Sequence, residues 1–294
     1  MRKAFAYGGA AAMTPYLLIK VSWVIAGLFG LAAGGLPVVA LNLATVIMSA
    51  TGVALALALA RPWGMRLPGR AVLFFAWIGG GFLVPMIPYM LVSSLLPVAS
   101  DGTPEAPGWE YWLIELSFLG MGVCLAVALP LYLRERWPSA FAPGPRPPWS
   151  RPAAALALLF AAVSAYWALG GPAGLVRPEA RDVTWYLQLG NDALWALAIA
   201  AGAWFLGRGP VPLALAWIGS GFLFAWNAWK LLLGSFLADQ AGWPESFAPA
   251  AVRFALGVAA GALLLAVTAR AARLVRGGVT SRTAGGVPST TAAP

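Results

Sequence analysis

The chain contains no histidine and one cysteine, and only 10% of its 294 residues are charged. Each scarcity closes off chemistry. Without histidine there is no Ser-His-Asp or Cys-His catalysis, no histidine proton relay, no haem ligation by histidine and little means of building a zinc site. The lone thiol, Cys124, lies inside an apolar run, so no intrachain disulfide forms and a reactive cysteine is not expected. Soluble domains carry about 25% charged residues, far more than this chain does. The glycines of "AWIGGGFL" have neither a strand before them nor a lysine after them, which rules out a phosphate loop and nucleotide binding. No pattern implies a metal or a cofactor.

What the chain has in excess is apolar sequence. It is 61% hydrophobic, and its apolar runs repeatedly exceed the roughly 18 residues that cross a bilayer. The expected fold is all-α, a polytopic membrane protein. Pro, Gly and charge bound eight candidate spans, at 9–31, 37–60, 71–97, 110–133, 152–171, 183–206, 210–237 and 248–270. The opening "MRKAFAYGGAAAMT" is read as part of a retained first helix, because Lys20 interrupts the apolar core that a cleaved signal needs.

Alternating the loops explains the net charge of +9. One side collects fourteen basic residues, from Arg2 and Lys3 through Arg61, Arg134 and Arg208 to Arg282, against the single acid Glu135. The other collects seven acids and only Arg177 and Arg181. The positive-inside rule then places both termini in the cytoplasm of a cell-membrane protein. With the charge accounted for by topology, no nucleic-acid partner is needed.

The chain repeats itself. "AWIGGGFL" at 76–83 returns as "AWIGSGFL" at 216–223, seven of eight residues the same. Trp23 precedes Trp77 by 54 residues and Trp167 precedes Trp217 by 50. Asn42 and Asn191 open the second span of each half, Arg61 and Arg208 close it, and Gly108-Trp109 and Gly242-Trp243 begin the fourth. This order predicts two four-helix repeats, 1–136 and 152–276, joined by a Pro-rich cytoplasmic linker at 137–151 and followed by a disordered tail at 277–294. Four being even, both repeats enter the membrane in the same sense, the parallel arrangement of several transporter folds.

Ionisable groups inside such spans mark candidate sites. They are Lys20, Glu115, Asp192, Lys230 and Arg253. Lys230 and Arg253 are near enough to the outer boundary to snorkel; Asp192, mid-span, needs a partner, and Lys20 is the candidate. Gln188, Asn191 and Asp192 share one helix face, as do Asn227 and Lys230. Lys20 with Trp23 recurs as Ser164 with Trp167, a polar side chain three residues before a tryptophan. Trp109, Trp112, Trp185 and Trp243 belong to an interfacial belt. Trp23, Trp167, Trp195, Trp226 and Trp229 lie deeper, and indole faces beside acids and amides suit a cationic or aromatic ligand. Pro85 and Pro88 should kink the third span, where the seventh has no proline, and broken or bent helices at mid-membrane often form sites or gates.

The segment "SAYWALGGPAGLVRPE", Ser164 to Glu179, resembles a group of uncharacterised bacterial multi-pass membrane proteins built from four-helix units. Trp167, Gly170 and Gly171 match the pattern of that group, and Ser164 stands where it usually has histidine. The resemblance implies four-helix units and no particular activity.

Two functions fit these residues. A gradient-driven or passive transporter would have an outward-opening polar cavity between the halves. Asp192 and Glu115 would bind a cation or proton there. Lys20, Asn42, Ser164, Gln188, Asn191, Asn227, Lys230 and Arg253 would supply polar contacts, and Trp23, Trp167, Trp195 and Trp229 would flank a small organic molecule. The alternative is a membrane enzyme acting on a lipid or isoprenoid, with Asp192 or Glu115 as general acid and tryptophans stabilising a carbocation; a non-catalytic scaffold is the third. The expected partners are the bilayer and a small-molecule, lipid or ion ligand. No residue pattern sets an oligomeric state.

Overall fold

The computed structural model describes residues 1–31, 35–96, 108–237, 244 and 246–284, with side chains left aside at 233, 235–237 and 273–284. Ten α-helices and two short 3-10 turns account for most of these residues, and no strand occurs among them. Helices are what lipid demands, since each pairs its backbone N–H and C=O groups internally. In chain order they are α1 Arg2–Leu28, α2 Gly35–Ala60, α3 Pro62–Arg66, α4 Gly69–Leu83, α5 Ile87–Leu95, α6 Trp109–Arg136, α7 Ser150–Ala168, α8 Val183–Trp204, α9 Pro210–Leu237 and α10 Phe247–Ala284.

Seven segments are long and apolar enough to cross a membrane, with α4 and α5 counted together. The eight spans read from the sequence therefore come down to seven by this measure. The one that falls short is α8, 22 residues long, whose Gln188, Asn191 and Asp192 lower its hydropathy. The first helix starts at Arg2 rather than near residue 9 and carries Pro15 within it. At the other end, helical backbone continues to Ala284, eight residues into the segment read as a disordered tail; 285–294 lie outside the described residues, as do Gly242 and Trp243.

The third span breaks where its prolines predict. Pro85 and Pro88 have no N–H to donate, α4 stops at Leu83, and the Val84 carbonyl is met by the N–H of Ile87 at 3.2 Å. The indole N–H of Trp226 on α9 donates to the Phe82 carbonyl at this break, at 2.9 Å.

The helices form two groups with separate cores. In the first, α1 packs along α2 and α6 around Met13, Tyr16, Leu59, Met121 and Leu125. In the second, α7 packs on α8, and α9 on α10, around Phe160, Ile199, Phe222 and Leu264. The groups meet chiefly where α4 crosses α9, and it is the repeated octets that cross. A side chain on Gly81 would collide with the backbone of Gly221, and one on Gly221 with the Trp77 carbonyl. Absent side chains let the backbones touch, as small residues do between membrane helices. The Trp77 indole N–H then donates to the Ser220 hydroxyl across the crossing, at 2.8 Å.

The basic end of the first group is tied by local bonds. Arg2 pairs with Glu135 at 3.0 Å, and the Tyr132 hydroxyl donates to the Gly64 carbonyl at 2.8 Å. Beyond α6, Trp137 lies over Gly69 and leads into the turn Pro138–Phe141, so the Pro-rich linker is irregular until α7 begins at Ser150.

Candidate functional site

The charges read as one group occupy two separate places. Lys20 and Asp192 are not partners. The Lys20 ammonium donates to the Asn42 side-chain carbonyl at 3.1 Å and lies 3.9 Å from the centre of the Trp23 ring, with Tyr16 at 5.6 Å. Spacing alone links Lys20 to Trp23, which is one turn further along α1. The neutral amide of Asn42 and two aromatic faces thus take the part assigned to a carboxylate, a cation–π arrangement that partial desolvation strengthens.

Asp192 sits at the centre of the second group. Arg253 donates to its carboxylate at 3.0 Å and Lys230 approaches the same oxygen at 3.5 Å. Arg253 also reaches the Ser164 hydroxyl at 3.5 Å and lies near the rings of Trp167 and Phe254. The cluster is buried: the Asp192 side chain is 8% exposed and that of Arg253 3%. Its members come from α7, α8, α9 and α10, so one carboxylate joins all four helices of the group. Neither Lys230 nor Arg253 snorkels away. Nearby, Asn227 donates to the Leu223 carbonyl at 2.8 Å and packs against Gly257, where any side chain would collide with it. The side-chain carbonyls of Asn191 and Asn227 and the indole N–H of Trp195 are buried with no hydrogen-bond partner among the described residues.

A cavity lies away from this cluster. Of about 380 Å³, it is walled mainly by the first group, by α1, α2, α4, α5 and α6, with Gln188 of α8 and Trp226 of α9 reaching in from the second. Residues on both sides of the broken third span line it, Phe82 and Leu83 before the break and Met86, Tyr89 and Met90 after it. The cavity read from the sequence as lying between the halves is therefore set largely inside the first. Of the candidates named from sequence, Glu115 and Gln188 line it; Lys20, Trp23, Asn42, Ser164, Trp167, Asn191, Asp192, Trp195, Asn227, Trp229, Lys230 and Arg253 do not.

Its lining is rich in methionine, which charge and helix periodicity do not single out. Met13, Met48, Met86, Met90 and Met121 all face it, five of the seven methionines in the chain. The signal was present, because no methionine occurs after residue 121. Methionine is unbranched and polarizable, fills irregular space and is over-used at adaptable binding surfaces. Polar groups are few. The Thr45, Ser49 and Thr51 hydroxyls donate to carbonyls of their own helix, and the Tyr89 phenol interacts with the Gln188 side chain. Glu115 is the one charged residue of the lining, and no basic side chain pairs with it among the described residues. An apolar, polarizable chamber of this size with a single carboxylate can hold a small organic molecule and orient one positive or proton-donating group. Among the described residues no cluster of His, Cys, Asp and Glu could hold a metal ion.

No protein family, no curated protein and no solved structure matches the chain significantly.

Proposed function

We propose that the chain is an eight-span protein of the cell membrane, built as two parallel four-helix repeats with cytoplasmic termini. We assign to its first repeat the substrate site of a gradient-driven or passive transporter for small organic cations. The observation that carries this reading is the methionine-lined cavity at a broken helix, with Glu115 in its wall and no basic partner for it among the described residues.

The span that completes the eight is α8, sixth in chain order. Its 22 residues extend about 33 Å at 1.5 Å each, enough for a hydrocarbon core of about 30 Å. The polar groups that lower its hydropathy include Asp192, which faces bundle-interior partners instead of lipid.

Burial recurs between the repeats at fixed spacing. Gly9, Ala10, Met13 and Tyr16 are buried, and so are Ala153, Ala154, Ala157 and Phe160, each 144 positions later. The same 144 relates Leu55, Ala56, Ala58 and Leu59 to Ile199, Ala200, Gly202 and Ala203. Met121, Gly122, Leu125, Ala128, Leu129 and Tyr132 recur 139 positions later as Ala260, Gly261, Leu264, Val267, Thr268 and Ala271. In this register Asn42 and Asn191, 149 apart, are not counterparts; they stand about a turn and a half from equivalence.

The register also relates the cavity to the ion cluster. Met48 corresponds to Asp192 (144 apart), Met90 to Lys230 (140 apart, as in the octets) and Ile114, beside Glu115, to Arg253 (139 apart). The second repeat fills with paired charge and core side chains the volume that the first leaves open. That favours the first repeat as the working half.

The test is uptake of ethidium, a flat aromatic cation, into liposomes holding the purified protein under an imposed proton or potential gradient. Uptake should exceed that of empty liposomes, and Glu115→Gln should cut the excess at least tenfold without lowering the melting temperature. Uptake equal to that of empty liposomes under both gradients defeats the transport reading. Turnover of a prenyl diphosphate in detergent, with no gradient, would establish the enzyme reading in its place.

A further inference from the structure

A second cavity, also of about 380 Å³, lies between the two helix groups on the basic side of the Gly81–Gly221 crossing. Helices α4, α6, α9 and α10 supply its walls, and Trp137 and Phe141 line its basic end. Its lining is almost wholly apolar, and two of its polar groups are already engaged. The Trp77 indole N–H is given to Ser220 and the Thr268 hydroxyl to the Leu265 carbonyl. A resident water needs two to four polar partners, which these walls do not offer. Left unfilled at bilayer depth, the slot would forfeit dispersion contacts along its whole length.

At its rim stands Arg70, exposed at the start of α4 and without a carboxylate partner among the described residues. The one acid that the sequence places at this end, Glu135, is taken by Arg2. The geometry points to a single occupant: one acyl chain of an anionic phospholipid from the leaflet at the basic end, its phosphate on Arg70 and its tail between the helix groups. Apolar walls match the tail, and a guanidinium with free donors matches a phosphate, which it can grip with two parallel hydrogen bonds. The site is independent of the transport reading, requiring only that the chain span a bilayer. It would brace the two groups where their backbones part.

Native mass spectrometry of the detergent-purified full chain tests it, with equimolar phosphatidylglycerol and phosphatidylcholine of identical tails. One phosphatidylglycerol should be retained in preference by about fivefold, the weight of one arginine near an anionic headgroup. Arg70→Gln, an exposed change that leaves the fold intact, should bring that preference close to one. Ala269→Phe, or Ala214→Phe if the first does not fold, sets a ring into the slot and should release both lipids. Equal retention of the two lipids by the unaltered chain overturns the proposal. So does a phosphatidylglycerol preference that survives either the arginine change or the filling change.

Discussion

In the second helix group Asp192 draws together Lys230, Arg253 and, through the arginine, Ser164, and aromatic and alanine side chains fill the space around them. The first group instead holds a cavity of about 380 Å³ lined by five methionines, with one carboxylate in its wall. The two groups share a pattern of buried helix faces and differ in what those faces enclose. A carboxylate shared by two cations accepts one geometry, and moving any of the four helices breaks it. Thioethers and a solitary Glu115 specify much less, and the break at Pro85 and Pro88 removes a further constraint on the first group. A fixed bundle beside an adaptable one is the division of labour that a membrane protein binding a small molecule can use.

The largest expected effect that sharpens this contrast is in the fixed half. Asp192→Ala leaves the buried Arg253 and the half-buried Lys230 without this carboxylate and should cost about 3–5 kcal/mol of stability, read as thermal unfolding in detergent. Replacing the three charged residues together, as Asp192→Leu with Arg253→Met and Lys230→Met, should regain most of that loss. An additive loss in the triple variant would show that the charges do not act as one lock, and the contrast between the groups would fall.

Next comes the crossing that joins the groups. Gly221→Val sets a branched side chain against the Trp77 carbonyl and should destabilise by about 2–3 kcal/mol. Gly52→Ala, whose new methyl would meet Met121 and Met13 only at 3.8 and 3.9 Å, should change the melting temperature little. Equal tolerance at both glycines would mean that the octets do not hold the groups together.

In the first half, Lys20→Met removes a cation whose partners are a neutral amide and two rings. The expected loss is about 1 kcal/mol, well below that at Asp192. A cost as large as that of Asp192→Ala would make Lys20 a structural lock in its own right. The smallest effect on stability is expected inside the chamber. Met86→Leu with Met90→Leu conserves volume and should cost less than about 1.5 kcal/mol, while narrowing the range of cations whose uptake the protein supports. An unchanged range of substrates would assign the methionines to packing.

Much of the fold was legible because membrane burial leaves coarse marks. Long apolar runs, the segregation of arginine from acid and the pair of prolines in the third span are local or summed properties, and each needs no knowledge of which helix lies beside which. The octet at 76–83 was recognisable by its return at 216–223, and the structure gave it a meaning that repetition could not: the two copies touch. The candidate site was harder to read. Its five methionines are spread over α1, α2, α5, α6 and the turn before α5, and nothing in the spacing of Met13, Met48 and Met121 predicts that they face one hollow. Composition carries a hint, in that methionine stops at residue 121. Span six was read as crossing from its length, while its amides keep it below the apolarity of the other seven.

The sequence by itself determined that the chain is helical and carries several apolar stretches long enough to cross a bilayer, since these follow from water's exclusion of apolar surface and from the cost of bare peptide groups in lipid. Which charges meet was decided only by tertiary structure. Lys230 and Arg253 reach Asp192 from 38 and 61 residues away, and Lys20 turns to Asn42 and Trp23. A buried charge settles on whatever group the neighbouring helix brings within about 3 Å, and that neighbour is chosen by the packing of whole helix faces, where glycines such as Gly81 and Gly221 set how closely two backbones approach.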